Sequence, residues 1–384
     1  MRCPRCLNED PSYFYHGSKG WMCRRCVSFK RVLILEEQAR EKGLALSEAA
    51  DEYSLSYPLT PLQQQVSQAC ADKILETDVL IEAICGAGKT ELVFATIAKM
   101  LKMGKKVCFA ISRRQVVIEL HQRLAKTFTN AKVVKVCQGF SEEIYGDIVV
   151  CTTHQCYRYY QYFDCVILDE SDAFPYKGNV VLAGIVKTSC KGHMVYLTAT
   201  IDDYLRQRLK DQTIYHLQLN ARPHGHDLPV PEKYVGFKGL LLLKLLAWIK
   251  KNHDKPLLIF VPTIKISQQM YHFLKLFYPC DYVNSKSLDL DHKITRFRQK
   301  ETKLLIATTI LERGVTIENV NVCIFLADHN VFDEASLIQM SGRVGKSFKY
   351  PKGACLFLCA KQSEEVDACI QKCQKANANK MFVV

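Results

Sequence analysis

The sequence predicts an α/β fold: two tandem parallel-sheet domains behind a small N-terminal ribbon built on four cysteines. Three observations carry this. From about residue 59 onward, short apolar runs alternate with helical patterns, and strands separated by helices pair in parallel with both faces covered. The alternation breaks once, at 220–233, where Pro, Gly and His interrupt both periodicities. Ahead of it stand Cys3-Pro4-Arg5-Cys6 and Cys23-Arg24-Arg25-Cys26, two C-x2-C knuckles separated by sixteen residues.

The chain has 384 residues, enough for two or three domains. It is 48% hydrophobic and 24% charged, which excludes a disordered chain. No apolar run approaches the ~18–20 residues of a membrane span. Met1-Arg2-Cys3-Pro4 opens no signal-peptide h-region, so a cytoplasmic location is expected. The net charge of +13 points to a polyanionic partner, most simply nucleic acid. The 18 cysteines do not argue for disulfides in that compartment. Fourteen are scattered, and many, among them Cys108, Cys151, Cys165, Cys323, Cys355 and Cys359, fall in strand-like runs and read as small buried apolar residues. Cys369 and Cys373 lie one helical turn apart and read as helix packing.

The first four cysteines differ. Each knuckle turns two sulfurs to one side, and two knuckles close a tetrahedron, so Cys3, Cys6, Cys23 and Cys26 are the expected Zn²⁺ ligands of a zinc ribbon. Tyr13, Phe14, Tyr15 and Trp21 lie between the knuckles, and Arg24, Arg25, Lys30 and Arg31 lie around the second. Such residues stack bases and hold phosphates, or form a small core; mixed use is expected. Residues 28–56 read as a charged helical connector. The expected boundaries are 1–52 for ribbon and connector, 53–220 for the first domain and 221–384 for the second.

In the first domain, Leu59-Thr60-Pro61-Leu62-Gln63 starts a helix whose amide can read an adenine edge. An apolar run at 79–84 then enters Ala83-Ile84-Cys85-Gly86-Ala87-Gly88-Lys89-Thr90. Strand, small-residue turn and helix in that order make a phosphate-binding loop. Gly86 and Gly88 let backbone N–H groups point inward, Lys89 supplies charge for the β- and γ-phosphates, and Thr90 takes a position on Mg²⁺. Ala83 stands where the strict motif has glycine. A helix is expected at 90–103, a strand at 106–112, a helix to about 128, and apolar runs at 133–138, 148–152, 164–169 and 193–198. The run ending at Leu168 delivers Asp169 and Glu170 at its carboxyl end, where one holds Mg²⁺ and the other polarises water. Thr198-Ala199-Thr200 ends the next run.

The second domain repeats the layout: helices near 238–251, 265–277 and 291–299, strands at 257–261, 282–284, 304–308, 322–326 and 354–358, and a last helix from about 363. His224 and His226 read as linker residues. Gly345-Lys346-Ser347 resembles the end of a phosphate loop but follows a helix, with Met340 in the first-glycine position, so it is not one.

Late in this half come Thr308-Thr309-Ile310-Leu311-Glu312-Arg313-Gly314-Val315-Thr316 and Gln339-Met340-Ser341-Gly342-Arg343-Val344-Gly345-Lys346. These resemble motifs V and VI of superfamily 2 helicases, and the earlier blocks resemble motifs Q, I, II and III in order and spacing. The knuckles, Ile111-Ser112-Arg113-Arg114-Gln115-Val116-Val117-Ile118-Glu119-Leu120, Asp169-Glu170-Ser171-Asp172-Ala173-Phe174-Pro175 and Arg222-Pro223-His224-Gly225 make the chain similar to the ComFA late-competence family. The resemblance implies two RecA-like domains and an ATP-driven translocase acting on single-stranded DNA in natural transformation. Implied cofactors are ATP and Mg²⁺. Implied partners are ComFC-like and DprA-like proteins and the membrane DNA-uptake channel, with peripheral attachment at the inner face of the membrane.

By the same resemblance, Gly86, Gly88, Lys89 and Thr90 hold phosphate and Mg²⁺, Asp169 positions Mg²⁺, Glu170 activates water and Gln63 reads adenine. Arg343 is the arginine finger, and Gly314 and Lys346 line the nucleotide site. Arg113, Arg114, Thr152, Thr153, Thr263 and Thr308 fall on DNA-backbone-contacting blocks. Lys346 replaces the usual Arg, keeping charge but losing the planar fork. Thr316 replaces the usual Asp, and DESD replaces DEAD. Two other readings stay open: another superfamily 2 helicase, of replication-restart or RNA type, and a non-catalytic zinc-ribbon nucleic-acid binder. Nucleic-acid dependence of ATP hydrolysis separates them.

Overall fold

A computed structural model describes residues 1–30, 32–34, 50–55, 57–312 and 317–379, with the backbone of Phe382–Val383. Most of the expected connector, and Arg313, Gly314, Val315 and Thr316, lie outside the described residues. The chain divides into two compact units: Met1–Ala83, Gly88–Leu219 and Phe382–Val384 form one, Ile84–Ala87 and Asn220–Met381 the other.

The first unit starts with the ribbon, an antiparallel hairpin of β1 (Phe14–Gly17) and β2 (Gly20–Cys23). Gly20 turns the chain at φ 112°, a value only glycine adopts freely. Next come α1 (Pro61–Lys73), β3 (Val79–Ala83), α2 (Lys89–Leu92), α3 (Phe94–Lys102), β4 (Val107–Ile111) and α4 (Arg114–Thr127). The helix expected at 90–103 is interrupted at Val93, whose N–H turns to the Thr90 and Glu91 carbonyls in a tighter turn. After β5 (Val133–Val136), β6 (Ile148–Thr152) and β7 (Phe163–Asp169) come α5 (Val180–Ser189), β8 (Cys190–Thr198), α6 (Asp203–Lys210) and β9 (Tyr215–Leu219).

The second unit holds β10 (Glu232–Val235), α7 (Lys238–Lys251), β11 (Leu257–Phe260), α8 (Ile264–Leu274), β12 (Asp281–Val283), α9 (Leu290–Arg298), β13 (Leu304–Ala307), β14 (Asn321–Phe325), α10 (Glu334–Ser341), β15 (Cys355–Cys359) and α11 (Glu364–Ala378). Its sheet is six-stranded and wholly parallel, in the order β10-β15-β14-β11-β13-β12. Alternate residues feed opposite cores. Leu258, Phe260, Val322, Ile324 and Phe357 pack on one face; Leu257, Ile259, Cys323, Phe325 and Leu358 pack on the other. A strand covered on both faces has no polar side, which is why these runs read as continuously apolar.

The chain ends with β16 (Phe382–Val383), antiparallel to β9 in the first unit. The first sheet thus has eight strands, β16-β9-β3-β8-β7-β4-β6-β5, parallel apart from that edge. The phosphate-loop strand β3 and the acidic strand β7 flank β8. Phe163, Cys165, Val166, Ile167 and Leu168 of β7 are all fully buried. Each such side chain contributes roughly 1.5–3 kcal/mol, which pins Asp169 at the sheet's carboxyl edge.

The ribbon belongs to this unit. Cys3, Cys6, Cys23 and Cys26 share one core with Leu182, Ile185 and Val186 of α5. Thr188 donates from Oγ1 to the Arg5 carbonyl at 2.8 Å, and a Cβ at Gly184 would overlap the Cys6 carbonyl. Phe29 stacks on His154 with ring centroids 5.9 Å apart.

Candidate functional site

Ala83 is the last residue of β3 and fully buried. The left-handed positions come later, at Gly86 (φ 85°) and Gly88 (φ 80°). Alanine at 83 therefore costs no backbone strain, and the departure from the strict motif is harmless. Gly88 caps α2, so Lys89 and Thr90 open a helix whose first N–H groups have no carbonyl partner within it. Lys89 Nζ donates to the Ala83 carbonyl at 2.9 Å.

Asp169 ends β7, and Glu170 follows in the left-handed region at φ 57°, its N–H on the Leu197 carbonyl at 3.0 Å. A glutamate held there stores about 1–3 kcal/mol, a common sign of functional positioning. Asp172, the last acid of the box, is buried and accepts from Thr200 Oγ1 at 2.6 Å; Thr198 Oγ1 donates to the Thr200 carbonyl at 2.6 Å. The sequence did not single out Asp172.

Gln63 completes a capping box. Its Oε1 accepts from the Thr60 N–H at 2.9 Å, while Thr60 Oγ1 accepts from the Gln63 N–H at 3.3 Å. The residue is buried, and its carbonyl oxygen is occupied by the cap.

In the second unit, Arg343 is buried in the turn after α10, its N–H on the Met340 carbonyl. Lys346 is exposed, and its stem lies 3.5 Å from where a Cβ on Gly86 would stand. Arg222 holds this region together. Only 3% exposed, it donates to four backbone carbonyls: Nε to Cys85 at 3.0 Å, Nη2 to Gly342 at 2.9 Å, and Nη1 to Val344 at 2.9 Å and Gly345 at 2.8 Å. Burial lowers its pKa from the ordinary guanidinium value. The sequence reading placed Arg222 in a linker, because nothing local reveals four acceptors so distant in the chain. His224 joins it, with Nε2 3.0 Å from the Gly345 carbonyl.

The candidate DNA contacts fall into two sets. Ile111 pairs with Thr152, so Arg113 and Thr152 emerge at neighbouring strand ends of the first sheet. Arg114 donates to the Gln138 carbonyl at 2.8 Å and lies over the Phe140 ring. Thr153 is fully buried, so its hydroxyl is not presented at the surface. In the second sheet, Phe260 pairs with Ala307, which brings Thr263 and Thr308 to adjacent strand ends. Thr263 caps α8 through its side chain, and Thr308 is buried. Gly314 lies outside the described residues.

The ribbon sulfurs converge: Cys3 and Cys26 are 3.7 Å apart, Cys6 and Cys23 likewise, and all four lie within 4.8 Å of one another. A tetrahedral Zn²⁺ with Zn–S of about 2.3 Å needs sulfurs about 3.8 Å apart. The donor set fits zinc. The aromatics divide their work: Phe14 packs on the core, while Tyr15 and Tyr13 face outward under Arg24 at 4.5 Å and Arg25 at 5.0 Å.

Comparison with known proteins agrees with this layout. The family described as type III restriction enzyme, res subunit, matches residues 56–203, and the helicase conserved C-terminal domain matches 238–347. Competence protein ComFA of Streptococcus pneumoniae is 34% identical, covering 98% of this chain and 90% of that protein. The chain belongs to the ComFA family. ComFA of Bacillus subtilis is 30% identical over 93% of this chain and 81% of its own length. In fold, the chain resembles Saccharomyces cerevisiae Dbp5 bound to RNA and ADP BeF3, with TM-score 0.60 and 19% identity over 83% of this chain and 91% of Dbp5. This ComFA-family chain is an ATP-hydrolysing superfamily 2 helicase with a DNA helicase or translocase role in competence. Among the described residues, no helix is long and apolar enough to cross a membrane.

Proposed function

We propose that this chain moves along single-stranded DNA by hydrolysing ATP, and that its ribbon holds Zn²⁺. The observation that carries the reading is the carboxyl edge of the first sheet, where β3 leads to Lys89 and Thr90 and β7 delivers Asp169 and Glu170, with only β8 between. Lys89 exchanges the Ala83 carbonyl for phosphate oxygens. Thr90 and Asp169 hold Mg²⁺, which neutralises phosphate charge when bound. The Glu170 carboxylate orients the attacking water and takes its proton. Gln63 Nε2 reads adenine while Oε1 stays on the cap. Arg343 steadies charge on the transferring phosphoryl group, and Gly314 and Lys346 belong to the same nucleotide site.

Arg113, Arg114, Thr152, Thr263 and Thr308 serve the DNA backbone, which suits a motor that must not stall at particular bases. ComFC-like and DprA-like proteins and the uptake channel are the proposed partners, reached from the cytoplasmic face. The test is ATP hydrolysis with single-stranded DNA, duplex DNA or RNA. Stimulation chiefly by single-stranded DNA, abolished in Lys89→Ala with DNA binding retained, is expected. Stimulation by RNA alone, or full hydrolysis by Lys89→Ala, overturns the reading.

A further inference from the structure

We propose that Cys108, Cys151 and Cys156 form a second metal site, a three-sulfur pocket inside the first unit that holds a soft, thiophilic cation. Cys151 Sγ lies 3.6 Å from Cys108 Sγ and 3.6 Å from Cys156 Sγ, and all three sulfurs lie within 4.8 Å of one another. That spacing is close to the 3.7 Å of the ribbon pairs. A three-sulfur site with metal–sulfur bonds of about 2.3 Å needs separations of about 3.8–4.0 Å. Small side-chain adjustments satisfy it.

The topology builds this trio from separate pieces of chain. Ala110 pairs with Cys151 across β4 and β6, and Cys108 pairs with Val149, so Cys108 and Cys151 stand diagonally on one face of the sheet. The chain then turns through the short helix Thr153–Arg158 and returns Cys156 over that face. All three are fully buried. Among the described residues, only this trio and the ribbon quartet bring three or more such ligands together. Cys165 and Cys323 are equally buried but belong to no such group, and they fit the apolar role expected for strand cysteines.

Burial in an apolar core keeps the three thiols from solvent, and a bound cation would compensate the charge of the thiolates that hold it. Among the described residues no carboxylate joins the group, and sulfur donors alone select Zn²⁺ or Cu⁺ over Mg²⁺ or Ca²⁺. Three thiolates on Zn²⁺ would leave one negative charge and a fourth coordination position. Cu⁺ is satisfied by the three sulfurs alone.

A cation here has a structural consequence. The turn that Cys156 anchors follows Thr152 directly, and its outer face carries His154 and Tyr157, against which Phe29 of the ribbon packs. The site would fasten to the sheet the seat on which the ribbon rests. Because the sulfurs are sealed from solvent, loading occurs during folding and exchange in the folded chain is slow.

The test counts metal in the full chain by mass spectrometry, as purified and after anaerobic unfolding with chelator and refolding in zinc alone or in copper(I) alone. About two equivalents per chain are expected in at least one arm, falling to about one in Cys156→Ala and in Cys108→Ala. Cys23→Ser/Cys26→Ser, which disables the ribbon, retains about one, with X-ray absorption showing a three-sulfur shell. The zinc and copper arms tell which cation occupies the pocket. About one equivalent in every arm of the native chain, unchanged by Cys156→Ala, overturns the proposal and returns the trio to apolar packing. If neither alanine variant folds, the absorption spectrum of the ribbon variant decides, and absence of bound metal there is equally decisive.

Discussion

Thr200 Oγ1 donates a 2.6 Å hydrogen bond to Asp172 Oδ2, tying the end of β8 to the loop that follows Asp169 and Glu170. Because β8 lies between β7 and β3, this bond sits between the two catalytic strand ends. Thr200→Ala removes one hydrogen-bond donor from a buried carboxylate. The expected stability cost is about 1–3 kcal/mol. ATP hydrolysis is expected to survive while translocation per ATP falls. Thr200→Ser, which keeps the hydroxyl, restores stability and translocation per ATP. Parallel measurement of ATP turnover and strand displacement checks this, and equal loss of the two in Thr200→Ala would show a general folding defect instead.

Arg222 makes a second argument. Its planar fork meets the Cys85, Gly342, Val344 and Gly345 carbonyls at 2.8–3.0 Å, and the last three belong to the turn carrying Arg343. Arg222→Lys keeps the charge but cannot reach four acceptors in different directions. Loss of two or three charge-assisted bonds, each worth about 1.5–3 kcal/mol, is partly offset by the new ammonium. The maximal turnover rate is expected to fall at least about tenfold, with little change in DNA affinity. Steady-state kinetics beside a DNA-binding isotherm separates the two quantities.

Why the sequence disclosed some of this and not the rest follows from the range of each signal. The helix at 238–251 appears with the expected bounds because periodicity over fourteen residues is local. Most strands of the two sheets are legible because burial on two faces leaves few polar residues inside them. β9 escaped notice because His216 and Gln218 interrupt its apolar run, and β10 because it begins inside the Pro- and Gly-rich stretch. The two-residue β16 carries no pattern at all. The phosphate loop and acidic pair were legible as motifs. The acceptors of Arg222, the partner of Asp172 and the meeting of three strand and turn cysteines were not, since each depends on residues brought together only by the sheet.

Gly184 offers a test of the ribbon's attachment. It sits in α5 with no room for a side chain, because the Cys6 carbonyl occupies the place of a Cβ. Gly184→Val should push the ribbon from the helix and disturb the Thr188–Arg5 bond, at a cost of about 1–3 kcal/mol. The first domain should stay folded while protease cleaves between ribbon and core. Zinc content should remain near the native level, because all four ligands lie within the ribbon. Limited proteolysis with metal analysis tests this, and an unchanged cleavage pattern would show that the ribbon tolerates displacement.

Salt dependence distinguishes the charged contacts from the structural ones in the first unit. Arg113 emerges beside Thr152 at the end of β4, whereas Thr153 is fully buried. If Arg113 neutralises one phosphate of a single strand, Arg113→Ala should reduce the slope of log affinity against log salt by about 0.7. Affinity at low salt should fall accordingly, alike for all base sequences. Arg114 already donates to the Gln138 carbonyl and covers Phe140, so Arg114→Ala should cost stability as well as slope. Thr153→Ala should lower the melting temperature and leave the slope untouched, because a buried, uncharged hydroxyl neutralises no phosphate. Fluorescence anisotropy titrations of a labelled oligonucleotide at several salt concentrations give all three slopes. A slope lowered by Thr153→Ala as much as by Arg113→Ala would mean that the buried turn opens when DNA binds.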